Sequence, residues 1–195
     1  DARFDGSVYT GIKTTGNYCR PVCPGRTPGR KNVEFFASAA AAQSAGYRPC
    51  LRCRPELSPA PGVRAGSPDV VARALALIAE GALDTDGLPD LARRLAISER
   101  QLRRLCIEHL GAPPHKIAQT RRVLFAKQLL HDTRLSMADV AMASGFGSIR
   151  RFNSTFQSFF GKPPHMLRRE WGNNGERGEG NWIEFHLGFR PPLDW

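Results

Sequence analysis

Four cysteines near the start of the chain have the spacing of a metal site. They form two close pairs, Cys19-x3-Cys23 and Cys50-x2-Cys53. Two such pairs separated by a longer loop can surround a tetrahedral Zn²⁺ with four thiolates. Disulfide bonds are the competing use, but the spacing and the basic composition favour a reduced, zinc-bound state. Spacing alone leaves open whether the zinc is purely structural or whether one thiolate is also a nucleophile.

The composition predicts a polyanionic partner. The 195 residues carry a net charge of +10 and have a pI near 10.0, and the 41% hydrophobic content is enough for one or two cored domains. We find no run of about 18 apolar residues and no signal peptide, so we expect no membrane contact and a cytoplasmic, nucleoid-associated location. The chain begins at Asp1 rather than at Met, which indicates a piece of a longer protein.

Pro- and Gly-rich stretches divide the chain into parts. We predict a cysteine-bearing domain at 1–58, a linker at 59–67, a helical block at 68–171, a second linker at 172–181 and a tail at 182–195. The first domain mixes predicted strands (Val8–Lys13 and Val33–Phe36) with a helix at 37–45, so its predicted fold class is α+β. Because so short a domain has a thin core, zinc would supply much of its folding free energy.

The central block is predicted to be all-α and contains a duplication. The segment from Gly111 to Ile117 recurs fifty positions later, from Gly161 to Leu167. Each copy reads as a helix-turn-helix, at about 88–108 and 136–160, and a long helix from Pro114 to Leu130 joins them. The predicted helix N-caps are Ser98, Ser136 and Ser148.

The second helix of each unit carries its polar side chains on the face opposite the apolar stripe. The candidates for DNA contact are Arg100, Arg103 and Arg104 in the first unit and Arg150, Arg151 and Asn153 in the second. Arginine can bind guanine edges or phosphates and asparagine can pair with adenine, which suits the major groove of double-stranded DNA. Arg121 and Arg122 are predicted to contact the DNA backbone. For any single arginine, a solvated basic face remains an alternative.

Two stretches of the chain resemble known families. The motifs Ser144-Gly145-Phe146, Arg151-Phe152-Asn153 and Phe159-Phe160-Gly161-Lys162-Pro163-Pro164 are similar to the second helix-turn-helix of AraC-type activators. The cysteine-bearing domain resembles that of Ada-type adaptive-response proteins, through the segments Thr14–Cys23 and Gly46–Pro55. The two in this order identify the chain as a member of the Ada-type regulators.

The resemblance implies an activity for the zinc site. Cys19 would irreversibly accept a methyl group from a methylphosphotriester in the DNA backbone, with Cys23, Cys50 and Cys53 as the other zinc ligands. It also implies that the damaged strand is contacted by Thr15, Arg26 and Arg48. Pro24 replaces a basic residue of the family pattern, and Arg20 or Arg30 is a candidate substitute.

Physical chemistry supports that implied reaction. Zinc keeps a cysteine as its nucleophilic thiolate, and an alkyl phosphotriester is neutral and does not repel it. Methylation would change the formal charge of the site from about −2 to about −1. A less anionic surface should bind DNA more tightly, so repair would become the signal that activates repair genes, with RNA polymerase as an expected partner.

Three further expectations concern the tail of the chain and the alternative functions. The segment Phe185–Trp195 resembles the opening strand of AlkA-type glycosylases, which suggests the front part of an Ada–AlkA fusion, although we assign it no base-excision activity. A non-catalytic AraC-type regulator with a structural zinc module is the alternative function. A metabolite sensor is disfavoured because the first domain is too short for an effector-binding barrel, so no small-molecule effector is expected.

Overall fold

The computed structural model describes residues 2–59 and 69–173. The predicted first linker beyond Pro59, most of the second linker and the predicted tail at 182–195 lie outside the described residues. Within the described ranges, no helix is both long enough and apolar enough to cross a membrane.

Residues 2–59 form the predicted α+β domain around a four-stranded sheet. The strands are β1 (Tyr9–Ile12), β2 (Asn17–Cys19), β3 (Val33–Phe36) and β4 (Arg48–Pro49), in the order β3-β1-β2-β4. Strand β1 pairs antiparallel with β2 and β3, whereas β2 and β4 are parallel. Helix α1 (Ala39–Ser44) begins at an N-cap formed by Ser38, and its buried alanines pack against the sheet.

The predicted strands and the alanine-rich helix of this domain are confirmed. The prediction missed β2 and β4, which have three and two residues. Strands this short carry no readable alternation, and they persist because each is paired within the sheet. They are nevertheless the strands that position two of the four cysteines.

Residues 69–173 are all helical, as predicted. The helices are α2 (Asp69–Ala79), α3 (Ala82–Thr85), α4 (Leu88–Arg94), α5 (Glu99–Leu110), α6 (Pro114–Asp132), α7 (Met137–Ala143), α8 (Ile149–Phe160) and α9 (Pro164–Asn173). The hydroxyls of Ser98, Ser136 and Ser148 accept hydrogen bonds from backbone N–H groups three residues on, which confirms the predicted caps. The predicted duplication is visible in α5 and α8, which have equal lengths and both end at a glycine with φ of 71°.

Helix α6 is the central element of the molecule. Its Ala118 packs into the core of the first helix-turn-helix unit, and its Val123 and Leu130 pack into the core of the second. Leu124 packs against Tyr9 and Tyr18 in the core of the cysteine domain. A helix buried on several sides shows no single apolar stripe. The sequence predicted α6 only as the helix that joins and spaces the two helix-turn-helix units. The structure shows that it also packs against the cysteine domain.

Candidate metal centre and DNA-facing cleft

The four paired cysteines converge on one point of the cysteine domain. Their Sγ atoms all lie within 4.8 Å of one another. Cys19 ends β2 and Cys50 follows β4, and the parallel pairing of these strands places the two side by side, with the Cys50 N–H donating to the Tyr18 carbonyl over 3.0 Å. Cys23 and Cys53 come from the turns that follow, and the Arg20 N–H donates to Cys53 Sγ over 3.3 Å.

This donor set fits one zinc ion. In a tetrahedral site with Zn–S bonds of about 2.3 Å, the sulfurs lie roughly 3.8 Å apart, a spacing that the cluster reaches with small side-chain adjustments. Hydrogen bonding to the Cys50 and Cys53 thiols, together with burial, raises the pKa of Cys19. Four neighbouring sulfurs therefore cannot all be thiolates unless a cation offsets their charge. Bound zinc would supply that charge and hold the sulfurs in the nucleophilic, deprotonated form.

Arg20 supports the cluster from behind. Its Nε donates to Asp5 Oδ1 over 2.9 Å, and its Nη1 donates to the Cys53 carbonyl over 3.3 Å. Hydrogen bonding from Arg20 lowers the pKa of the Asp5 carboxyl. Because this guanidinium already has internal partners, it is a poor candidate for the DNA contact that Pro24 cannot make. Asp5 was not identified from the sequence, since nothing near it signals a partner fifteen residues away.

A cleft of about 630 Å³ opens onto the cysteine cluster. Three of the four sulfurs belong to residues that line it, namely those of Cys19, Cys23 and Cys50. Its other polar and charged lining residues are Thr14, Thr15, Asn17, Arg26, Arg48, Arg52 and Lys162. No aspartate or glutamate is among the lining residues of this cleft. Apart from the cysteines, every charged side chain in the lining is cationic, which favours an anionic ligand such as a DNA strand.

The structure brings most of the predicted lesion-site residues together. Thr15, Arg26 and Arg48 line the cleft beside Cys19, whereas Arg30 is exposed in a 3₁₀ turn and does not line it. Arg52 was missed by the sequence analysis, although it is an exposed basic residue inside the Cys50-x2-Cys53 turn. That position was the available signal, because the residues between two ligand cysteines necessarily lie close to the cluster.

The predicted DNA-reading side chains of both helix-turn-helix units are exposed. They are Arg100, Arg103 and Arg104 on α5 and Arg150, Arg151 and Asn153 on α8. On the opposite faces, Leu102 and Phe152 are buried at equivalent positions in the two cores. The described structure thus leaves the polar face of each second helix accessible, and contact with DNA stays a prediction.

Arg121 and Arg122 have an internal partner that the sequence analysis did not foresee. Arg121 Nη1 lies 3.0 Å from Asp84 Oδ2, and Arg122 Nε lies 2.5 Å from Asp84 Oδ1. Arg122 also donates to the Leu83 carbonyl. Both arginines are partly buried, so their first role is to hold α3 against α6; the predicted backbone contact with DNA stays a prediction. The short helix α3 carries too little periodicity to be predicted, which is why Asp84 was missed.

The cysteine domain contacts α6 through one buried ion pair and one more exposed ion pair. Lys127 Nζ lies 2.7 Å from both carboxylate oxygens of Glu56, and both side chains are almost fully buried. Arg54 bridges the same Glu56 and Asp132, over 2.9 Å in each case. Arg54 directly follows the ligand Cys53, and Glu56 comes two residues later. Ion pairs therefore connect the segment after the metal centre to helix α6.

The cysteine domain also contacts both copies of the repeated turn. In the first, the Ser38 hydroxyl donates to the Leu110 carbonyl over 2.6 Å, and a Cβ on Gly111 would lie 2.9 Å from Ala41 Cβ. In the second, a Cβ on Gly161 would lie 3.5 Å from Arg48 Nη1. One domain therefore rests on equivalent points of two units.

Comparisons with known proteins agree with this architecture. Residues 1–56 match the family described as the metal binding domain of Ada, and residues 91–170 match a helix-turn-helix domain. The chain is 47% identical over 174 residues to a probable bifunctional transcriptional activator/DNA repair enzyme AlkA of Mycobacterium tuberculosis, covering 86% of this chain and 34% of that protein. It is 37% identical over 122 residues to the bifunctional transcriptional activator/DNA repair enzyme Ada of Escherichia coli, covering 63% of this chain and 33% of that protein.

A solved structure supports the assignment of the helical domain. An AraC-type DNA-binding regulator from Chromobacterium violaceum is 31% identical with a TM-score of 0.51, covering 57% of this chain and 100% of that chain. Fold and site together define a four-thiolate zinc domain joined to an AraC-type helix-turn-helix domain. The chain belongs to the Ada-type proteins. It spans about one third of the length of the two curated relatives described above.

Proposed function

We propose that this chain repairs methylphosphotriesters in DNA by moving the methyl group to Cys19, and that the methylated protein activates the transcription of repair genes. The observation that carries the proposal is the cleft in which Cys19 lies beside Thr15, Arg26 and Arg48 with no acidic side chain in the lining. The names of both curated relatives, which combine transcriptional activation with DNA repair, support the same pairing of roles.

In the proposed reaction, residues of the cleft hold the strand while one sulfur attacks. Arg26 and Arg48 bind the anionic phosphates that flank the neutral triester, and Thr15 donates a hydrogen bond to the strand. The Cys19 thiolate attacks the methyl carbon, a sulfur–carbon bond forms, and the carbon–oxygen bond breaks. The electron pair remains on the phosphate oxygen, which restores an anionic diester. No proton moves, and the resulting thioether is not released, so each protein molecule reacts once.

The charge of the cluster links repair to transcription. Loss of one thiolate changes the formal charge of a zinc-bound cluster from about −2 to about −1. The DNA backbone then meets less repulsion at the cleft, so the affinity for promoter DNA rises. The polar faces of α5 and α8 would read that promoter, and contact with RNA polymerase would complete activation. A protein acting in this way works in the cytoplasm, at the nucleoid.

Peptide mass spectrometry tests the proposed transfer. Zinc-loaded protein is incubated with duplex DNA that bears methylphosphotriesters, and a single added methyl is expected on Cys19. Cys106 is the internal control, because its burial in the first helical core raises the pKa of its thiol to about 11 and keeps it unreactive. A Cys19→Ser variant should take up no methyl. Methylation of another cluster cysteine would reassign the nucleophile.

A non-catalytic regulator with a structural zinc is the second candidate. The observation in its favour is the burial of Cys19, which is 5% exposed, comparable with the 7% of Cys53. An unmodified Cys19 in protein that holds zinc and binds the lesion-bearing DNA would favour this candidate. Equal salt-dependent DNA affinity before and after methylation would instead contradict the proposed switch while leaving the repair reaction intact.

A further inference from the structure

We propose that Lys162, from the second helix-turn-helix unit, is part of the strand-binding surface beside Cys19. The ligand is the anionic phosphodiester backbone next to the lesion. The inference rests on the proposed function and extends it, because it makes lesion capture depend on a side chain outside the zinc domain.

The first step of the argument is the composition of the cleft. Its wall is shared between the two domains, since Phe160, Lys162 and Leu167 line it together with the cysteines. Lys162 lies in the turn between α8 and α9. The preceding residue, Gly161, is packed near the Arg48 guanidinium, with 3.5 Å between a Cβ at that position and Nη1. Lys162 therefore follows directly on a residue that packs against a predicted phosphate-binding arginine.

The second step concerns the present partner of Lys162. Its Nζ lies 2.6 Å from Glu170 Oε1, and the two side chains are 50% and 45% exposed. Ion pairs exposed to this degree are weak because water screens them and because ordering two long side chains costs entropy. A phosphate that enters the cleft can replace Glu170 as the partner of the ammonium group without a large desolvation penalty.

The third step comes from the duplicated turn. The residue equivalent to Lys162 in the first unit is Ala112, which is 1% exposed. The repeated turn therefore folds with an alanine at this place, and its geometry does not demand a lysine. The basic side chain occurs in the copy whose turn lines the cysteine cleft, and the copy in which alanine replaces it does not line that cleft.

Equilibrium binding to a short duplex with one methylphosphotriester and no promoter sequence tests the proposal. Lys162→Ala should weaken binding several-fold and reduce the slope of log affinity against log salt by about 0.9, the contribution of one phosphate contact. It should also lower the ratio of affinities for the lesion-bearing and the undamaged duplex. The single-turnover methyl-transfer rate at saturating DNA should not change, because Lys162 positions the strand and does not touch the reacting atoms.

Two further variants provide a matched control and an expected effect of opposite sign. Lys116→Ala removes an exposed lysine at the start of α6, outside the cleft lining, and should leave affinity, slope and ratio unchanged. Glu170→Gln removes the competing carboxylate and should strengthen binding to the lesion duplex. Identical slopes and ratios for Lys162→Ala and Lys116→Ala would overturn the inference. If the wild-type protein binds this duplex without transferring methyl, the proposed function fails, and the slope of Lys162→Ala still decides the role of Lys162.

Discussion

Lys127 and Glu56 form an ion pair in which the ammonium nitrogen lies 2.7 Å from both carboxylate oxygens, at a place that water scarcely reaches. The pair joins the spacer helix α6 to the 3₁₀ turn (Pro55–Leu57) that follows the last zinc ligand. Burial lowers the pKa of Lys127, while the charge of Glu56 opposes that effect. The two domains are therefore connected by an ion pair in which the charge of Glu56 helps to keep the buried Lys127 protonated.

Replacing one member of this pair should be costly. Lys127→Met leaves the Glu56 carboxylate buried with only Arg54 as a cationic partner, and we expect a loss of about 3 kcal/mol in the free energy of unfolding, measured by urea denaturation. The control is Arg93→Ala, which breaks an exposed pair with Asp90 and should cost less than about 1 kcal/mol. The double variant Glu56→Leu/Lys127→Met should recover much of the loss. Equal losses for Lys127→Met and Arg93→Ala would contradict the burial of the Lys127–Glu56 pair.

Removal of zinc should unfold the cysteine domain and spare much of the helical one. The fully buried Tyr18 ring lies next to Cys19 in β2 and packs edge-on against Tyr9, with ring centroids 5.9 Å apart. A chelator should therefore reduce the near-ultraviolet circular dichroism of these tyrosines while much of the far-ultraviolet helical signal remains. Added Zn²⁺ should restore the signal, and Mg²⁺, which prefers oxygen ligands, should not. An unchanged tyrosine signal after chelation would show that the domain folds without metal.

Asp84 should set the spacing between the two DNA-reading units. It holds Arg121 and Arg122 of α6, and its Oδ2 lies 2.5 Å from where a Cβ of Gly145, in the turn of the second unit, would be. We expect Asp84→Ala to reduce the discrimination between promoter DNA and the same DNA with five added base pairs between its two half-sites, while the affinity for non-specific DNA stays equal or rises. Asp90→Ala is the control. A uniform loss of affinity for all three DNAs would indicate simple destabilisation instead.

Two glycines with positive φ should respond differently to alanine. Gly145 (φ of 80°) faces Asp84, whereas Gly161 (φ of 71°) has only the end of the Arg48 side chain near its Cβ position. Gly161→Ala should cost about 1–2 kcal/mol for the left-handed backbone alone. Gly145→Ala should cost more, because it adds a steric conflict with a carboxylate held by two arginines. Thermal unfolding of both variants checks the order, and the reverse order would contradict the packing around Asp84.

Local sequence signals predicted the features that need only local interactions. The caps at Ser98, Ser136 and Ser148 rest on a hydroxyl and an N–H three residues away, and β3 rests on a run of β-branched and aromatic residues. The cysteine cluster was predictable for a different reason. The two-pair spacing reflects what one metal ion demands of a chain, whatever the fold that carries it.

Features that depend on the arrangement of domains were not predictable. Glu56 and Lys127 are 71 residues apart, and neither lies in a pattern that marks it as buried. Arg54 occupies a left-handed conformation with φ of 50°, which no sequence rule assigns to arginine. The shared wall of the cleft likewise exists only because the cysteine domain rests on the second unit. The sequence therefore indicated which residues carry the chemistry, and the structure shows which other residues surround them.

The cysteine domain contacts both copies of the repeated turn, and the two copies therefore have different surroundings. Two identical units could be related by a two-fold axis. A single asymmetric domain that contacts both units must present a different surface to each, which breaks such symmetry. At the first turn it presents the start of α1, with the Ser38 hydroxyl bonded to the Leu110 carbonyl, and at the second it presents β4, with Arg48 beside Gly161. The two helix-turn-helix units therefore pack against different parts of the cysteine domain, and they are not interchangeable. A DNA site read by this protein should accordingly consist of two unlike halves in a fixed order and not be a palindrome.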